Sequence, residues 1–266
     1  MNQIVNAKRI VVKVGTSTLT HSTGMLNIRR IESLVKMLAD MKNMGKELVL
    51  VSSGAIGVGV GKLGLKARPS DTPSKQACAS IGQCELMYVY DKVFSEYNHV
   101  VSQVLLTRDV IEDPRRKENV QNSFERLLQM NVIPIVNEND TVAVEEIEFG
   151  DNDALSAIVA RLVHADALII LSDIDGLYDK DPRKHPDASL IARVEEIGED
   201  IRSAAGEKGT SLGTGGMITK IEAARMATQE GIHVVIANGS RHNVLYDLLD
   251  GKAIGTLFVG RTKGNA

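Results

Sequence analysis

Two periods of apolar residues alternate along this chain. Short β-branched runs, bounded by polar or glycine-bearing segments, read as strands: IVVKV at 10–14, ELVLVSS at 47–53, VVSQVLL at 100–106, VIPIVN at 132–137, ALIILSD at 167–173, HVVIAN at 233–238 and GTLFVG at 255–260. Amphipathic stretches lie between them. Asn27 stands as an N-cap before Ile28, Ile31, Leu34, Val35, Leu38 and Met41, which recur at helical spacing, and Gly45 supplies the stop. Thr72 and Pro73 open a second helix that reaches about Tyr97, and Pro114 precedes a third that reaches about Met130. Further helices are predicted from about Asp153 to Val163, from about Met217 to Glu230, and over 242–249.

Strands alternating with helices predict an α/β fold with a mostly parallel sheet covered by helices on both faces. Ligands of such sheets gather outside the carboxyl ends of the strands. KVGTS, SSGAIG, NENDT, FGDND and SDIDG each fall at or just after a predicted strand, so five loops are expected to converge on one crevice. The Pro- and charge-rich stretch 179–187 is expected to be an exposed hairpin or loop. No internal repeat or low-complexity segment is evident.

Composition narrows the function. At 266 residues the chain can bury a substantial core, and 43% hydrophobic with 24% charged residues is ordinary for a globular protein. Aromatics make up 3% with no Trp, which argues against a base-stacking platform. A net charge of −3 without a basic block argues against a phosphate-backbone partner, so no nucleic acid is expected. No segment approaches the ~20 apolar residues of a membrane span and the N-terminus lacks a signal-peptide stretch, so a cytoplasmic protein is expected. Cys78 and Cys84, six apart on different faces of one helix, read as reduced thiols.

Two glycine patterns mislead. Gly59, Gly61 and Gly64 match GxGxxG, yet no strand with an acidic end follows about twenty residues on. Gly61-Lys62 resembles the end of a phosphate-binding P-loop, but Ile56 and Leu63 occupy the positions of its first Gly and its Ser/Thr. What survives is Ser52-Ser53-Gly54 at a strand end, with Gly57, Gly59 and Gly61 better explained by close helix packing.

The candidate chemistry rests on two lysines. Lys13 interrupts the otherwise apolar strand IVVKV; it is either a solvated strand-end lysine or a buried one that needs an anionic partner. Lys220 closes GTGGMITK, where glycines ahead of a helix N-terminus form an amide nest for phosphate oxygens; without them it would be an ordinary surface lysine. Two lysines beside bare amides suit phosphoryl transfer, which depends on positioning and charge stabilisation. Asn137, Asp140 and Asn152 can bind the amino and carboxylate groups of an amino acid, and Asp153 can bridge the two lysines. Turn chemistry and a helix cap explain the same residues, Asp151 above all. SDIDGLY can hold a nucleotide or be a plain turn.

VVKVGTS, LVSSGAIGVG, NENDTV, FGDNDALSA, SDIDGLYDKDPR and GTGGMITKIEAA occur in this order over essentially the whole chain. Together they resemble the amino acid kinase family, and within it the members that phosphorylate the γ-carboxylate of L-glutamate, the first step of proline biosynthesis. The resemblance implies a three-layer αβα sandwich around a mostly parallel sheet of about eight strands. It implies one domain over 1–266, with a glutamate-binding lobe at about 1–165 and an ATP-binding lobe at about 166–266. Lys13 and Lys220 would be the transition-state lysines and Asp153 their organiser. Ser53, Gly54, Asn137, Asp140 and Asn152 would bind glutamate. Lys13, Gly15, Ser172, Asp173, Thr214, Gly215, Gly216, Met217, Ile218, Thr219 and Lys220 would bind the nucleotide. ATP with Mg²⁺ as co-substrate, a homodimer or homotetramer and feedback inhibition by proline are implied in the same way. Many such enzymes carry a C-terminal PUA domain, and the resemblance covers the kinase domain only.

Overall fold

The computed structural model describes residues 1–21, 23–107, 110, 112–142, 152–199, 201 and 216–261. In chain order the elements are α1 (Asn2–Asn6), β1 (Arg9–Val14), α2 (Thr16–Leu19), α3 (Ile28–Asn43), β2 (Glu47–Ser52), α4 (Ala55–Lys62) and α5 (Thr72–Ser95). Then come β3 (Val101–Leu106), α6 (Pro114–Gln129), β4 (Ile133–Glu138), α7 (Asn152–Leu162), β5 (Ala167–Ser172) and β6 (Arg193–Val194). α8 (Met217–Thr228), β7 (His233–Asn238), α9 (Val244–Leu249) and β8 (Thr256–Phe258) complete the order.

The helices begin where polar caps satisfy otherwise orphaned backbone amides. Asn27 accepts from the Arg30 amide at 3.2 Å to open α3. Asp71, one residue before the expected start, accepts from the Ser74 amide at 2.9 Å to open α5, with Pro73 in the first turn. Asp113 accepts from the amides of Arg115 and Arg116 at 2.8 and 3.1 Å to open α6.

Eight strands form one sheet in the order β3-β4-β2-β1-β5-β7-β8-β6. Among the described residues, every pairing between these strands is parallel except β7 with β8. Helices cover both faces, as the alternating pattern predicts. Side chains alternate along each strand, and this sorts the core into two layers. Ile10, Val12, Leu48, Leu50, Ile135 and Ile169 pack toward α3, α4, α5 and α9. Val11, Val49, Val51, Val136, Leu168 and Ile170 pack toward α6, α7 and α8.

This alternation also aims two polar residues. Lys13 shares the face of Val11 and so points toward α7 and α8, whereas Asn137 shares the face of Ile133 and Ile135 and points toward α5. From β1 the chain steps to β2 on one side and, after α7, to β5 on the other. Lys13 therefore lies beside the point where the strand order reverses, the usual place for a ligand crevice.

The glycine-rich run forms α4, which the strand and helix patterns did not predict. Gly59 is a packing glycine: a Cβ there would lie 1.9 Å from the Cys78 carbonyl oxygen of α5. Gly82 is its counterpart, with a Cβ falling 1.8 Å from the Ala55 oxygen and 2.6 Å from the Gly59 nitrogen. The packing expectation fails at Gly57, where a Cβ would meet only a Thr16 methyl at 3.5 Å. Gly61 abuts the Gly24–Met25 backbone instead of a helix. Gly82→Ala should force α4 from α5 at a cost of about 1–3 kcal/mol. A fall of several degrees in melting temperature is expected, and an unchanged value would show that the two helices separate freely.

Other features follow the sequence. Cys78 is buried and Cys84 exposed, on different faces of α5. The 179–187 segment is a turn-rich loop closed at its base, where the Asp179 amide donates to the Ser189 oxygen at 3.1 Å and the Ser189 amide to Asp179 Oδ1 at 2.8 Å. Among the described residues, no helix is long and apolar enough to cross a membrane.

Candidate active site

The structure brings Lys13, Asp153 and Lys220 together from β1, α7 and α8. Lys13 Nζ is 2.5 Å from Asp153 Oδ1, and Lys220 Nζ is 3.0 Å from Asp153 Oδ2. Asp153 is fully buried, and each lysine is 6% exposed. Each carboxylate oxygen thus meets one ammonium. This geometry decides between the two roles open to Asp153: it bridges the lysines, although it also stands in the first turn of α7. Burial alone would raise its pKa, but the charges and hydrogen bonds of Lys13 and Lys220 prevail and hold it well below the usual carboxylate range. Among the described residues, two cations and one anion give the cluster a surplus positive charge.

Thr219 adds a contact that its motif did not suggest. Its hydroxyl lies 3.0 Å from Asp153 Oδ2 and 2.8 Å from the Gly216 oxygen, so it can donate to either. Gly216 is the N-cap of α8, followed by Met217 and Ile218 in its first turn. Lys220 is therefore one turn inside the helix, with its ammonium beside the carboxylate. Gly15 caps α2 next to the other lysine, since a Cβ at Gly15 would lie 3.8 Å from Lys13 Nζ.

The polar residues proposed for an amino acid occupy the same edge of the sheet. The Ser53 amide donates to the Val14 oxygen at 3.1 Å, and Gly54 caps α4 with φ +102°, a conformation that glycine reaches without a Cβ penalty. Asn152 Nδ2 donates to the Ser52 oxygen at 3.2 Å and to Asn137 Oδ1 at 2.8 Å. Asn137 Oδ1 also accepts from the Glu138 amide at 2.9 Å, while its Nδ2 donates to Gln83 Oε1 at 2.8 Å. Beneath Ser52, its hydroxyl and the Tyr90 hydroxyl are 3.0 Å apart. Burial pushes the Tyr90 phenol well above its ordinary pKa, against the lowering effect of that bond. Asp140 lines a neighbouring cavity of about 360 Å³ with Gln83 and Glu138.

On the other side of β1, Ser172 is buried at the end of β5 and donates from Oγ to Asp173 Oδ1 at 3.1 Å; Asp173 itself is exposed. The turn after it is pinned to β7, where Asn238 Nδ2 donates to Asp175 Oδ1 at 3.1 Å. Thr214 and Gly215, and the helix-cap candidate Asp151, lie outside the described residues.

Gln83, Tyr90 and the Thr219 contact were not anticipated. A signal for the first two exists: Ala79, Gln83, Leu86, Tyr90 and Phe94 recur at helical spacing, so Gln83 and Tyr90 are polar groups on a core-facing stripe.

Comparisons with known proteins agree with this geometry. Residues 8–238 match the amino acid kinase family. The chain is 56% identical over 260 residues to the glutamate 5-kinase of Clostridium perfringens (strain 13 / Type A), covering 96% of this chain and 97% of that protein. It is 53% identical over 258 residues to the glutamate 5-kinase of Clostridium acetobutylicum, covering 97% of each. Among solved structures, UMP kinase from Bacillus anthracis superposes with a TM-score of 0.66 at 16% identity, covering 96% of this chain and 97% of that one. The isopentenyl phosphate kinase product complex from T. acidophilum gives 0.62 at 18%, covering 94% and 99%. At such identities the structures speak for the fold alone. With its eight-stranded sheet, its buried lysine–aspartate–lysine cluster and these matches, the chain belongs to the amino acid kinase family.

Proposed function

We propose that this protein transfers the γ-phosphoryl group of ATP to the γ-carboxylate of L-glutamate, forming γ-glutamyl phosphate in the first step of proline biosynthesis. The observation that carries the proposal is Asp153 fixed between two buried lysines at the carboxyl edge of a mostly parallel sheet. The relatives named glutamate 5-kinase support the choice of acceptor.

The chemistry fits the residues present. A γ-carboxylate, with an ordinary pKa near ~4.3, is already ionised at neutral pH and needs no general base. The difficulty is to bring this anion toward a polyanionic phosphate. Lys13 and Lys220 face the transferring group with a net positive charge already in place, so little reorganisation is needed as charge develops. Asp153 keeps the two ammonium groups together against their mutual repulsion. The amides around Gly15, Gly54 and Gly216 add donors at the same edge.

Among the described residues no group of three His, Cys, Asp or Glu side chains is placed to hold a metal ion, and Asp153 is engaged by both lysines. Magnesium would be carried on the ATP phosphates, where it would neutralise part of their charge.

Residues from the first part of the chain, Ser53, Gly54, Asn137, Asp140 and Asn152, would hold glutamate. Ser172, Asp173 and 214–220 would hold ATP, and the same assignment divides the chain into a glutamate lobe at about 1–165 and a nucleotide lobe at about 166–266. Asn152 has a defined part: both its amide protons are used within the protein, so its Oδ1 is the atom that accepts from the substrate ammonium. A cytoplasmic location, a homo-oligomeric state and inhibition by proline belong to the same proposal.

An ADP-release assay with L-glutamate, N-acetylglutamate and L-aspartate, each with Mg²⁺ and ATP, tests it. Turnover with free glutamate should far exceed the others, because only it pairs an α-ammonium with a γ-carboxylate at the right reach. Equal turnover of N-acetylglutamate would refute the assignment.

A further inference from the structure

We infer that Gln83 is a positioning residue that supports the amino-acid specificity of the site, by holding Asn137 in place within the hydrogen-bond chain Gln83–Asn137–Asn152. This inference rests on the reading of the site as one for free glutamate.

A side-chain amide has nearly the same shape when its oxygen and nitrogen exchange places, so only its neighbours decide which atom faces a ligand. Three anchors decide it here. The Glu138 amide donates to Asn137 Oδ1, the Ser52 oxygen accepts from Asn152 Nδ2, and Gln83 Oε1 accepts from Asn137 Nδ2. Two of them are backbone groups, and Gln83 is the side chain of the set. With Asn137 Oδ1 held by the Glu138 amide and its Nδ2 by Gln83, Oδ1 also accepts from Asn152 Nδ2. Asn152 Oδ1 is then left to accept from a cation. An acceptor in this place favours a ligand that carries an ammonium group over one that lacks it.

The surroundings strengthen the assignment. Asn137 and Asn152 are buried, so an unmatched amide in either is costly and the chain holds one direction while its anchors are complete. Gln83 reaches from α5, the helix locked to α4 through Gly82, and its place is therefore rigid. It also lines the 360 Å³ cavity together with Glu138 and Asp140, whose carboxyl groups suit the same ammonium.

Gln83→Met keeps the length of the side chain and removes the acceptor, leaving Asn137 held through its oxygen alone, with a buried Nδ2 that has lost its partner. Gln83→Glu keeps an acceptor. The test is calorimetric binding of L-glutamate and of glutarate, its analogue without the ammonium group, in the presence of a non-hydrolysable ATP analogue and Mg²⁺. Wild-type protein is expected to prefer glutamate, and Gln83→Met to lose that preference by about tenfold or more, the scale of one hydrogen bond to a charged group. Gln83→Glu should retain it, and affinity for the ATP analogue should stay within about twofold in both, since no part of the nucleotide site is altered. The inference is overturned if Gln83→Met keeps the wild-type preference, if it weakens both ligands equally, or if Gln83→Glu loses the preference as fully. Wild-type protein that fails to bind glutamate would instead count against the proposed function itself.

Discussion

Lys13→Ala and Lys220→Ala should each lower turnover of ATP with L-glutamate by about 10²–10³-fold, the usual loss when one preorganised charge stabiliser is removed from a transition state. The cluster makes the reason explicit. Among the described residues, two ammonium groups and one carboxylate leave one positive charge to meet the phosphoryl group, and removing either lysine removes that surplus. The remaining lysine still pairs with Asp153, so no buried charge is stranded and the fold should survive. Circular dichroism and melting temperature check the fold, and steady-state kinetics check turnover. A variant that keeps more than roughly a tenth of wild-type turnover, against an expected hundredfold loss, would show that its lysine is structural.

Asp153→Asn should do more damage, because it weakens the pairing of both lysines at once. The amide keeps the shape of the carboxylate but removes the charge that pairs with both buried ammonium groups. Removing one partner of a buried ion pair typically costs about 3–5 kcal/mol. A large loss of turnover should therefore come with a clear loss of stability, unlike the lysine variants. A first-turn helix acid acting only through the dipole would be worth about 0.3–1 kcal/mol.

The pH dependence separates these cases further. The pKa of Asp153 is lower in the folded protein than in the unfolded chain. Its stabilising contribution is therefore present in full above the unfolded value of about 3.9 and is lost as the pH falls below it. The difference in unfolding free energy between wild type and Asp153→Asn should be widest near neutrality and should narrow below about pH 4. A gap that stays constant with pH would mean that the carboxylate charge does not hold the cluster together.

Much of this was legible in the sequence because the relevant signals are local. The β-branched runs gave seven of the strands, and Asn27, Pro73 and Pro114 marked the helix starts to within a residue or two. Lys13 was conspicuous as a lone cation in an apolar strand, a position that demands a partner. The partner itself is 140 residues away, and only the alternation of faces along β1, with α7 laid across it, brings Asp153 to it.

The features that escaped depend on tertiary contacts. Four glycines within 54–61 argue against a helix by propensity, yet α4 forms because Gly59 and Gly82 let two backbones meet. β6 is two residues long and exists only because β8 offers it an edge. Gln83 and Tyr90 sit on a stripe that reads as ordinary core, and their meaning appears only when Asn137 and Ser52 are placed opposite them.

The most direct test of the lysine–aspartate–lysine cluster as a phosphoryl-transfer centre acting on a carboxylate is to trap the product. Hydroxylamine attacks an acyl phosphate at its carbonyl carbon, releasing phosphate and leaving a hydroxamate. Wild-type protein given ATP, Mg²⁺ and L-glutamate should form γ-glutamyl hydroxamate in proportion to the ADP released, and Lys220→Ala should form almost none. ADP release without hydroxamate, or equal hydroxamate from Lys220→Ala, would contradict the account.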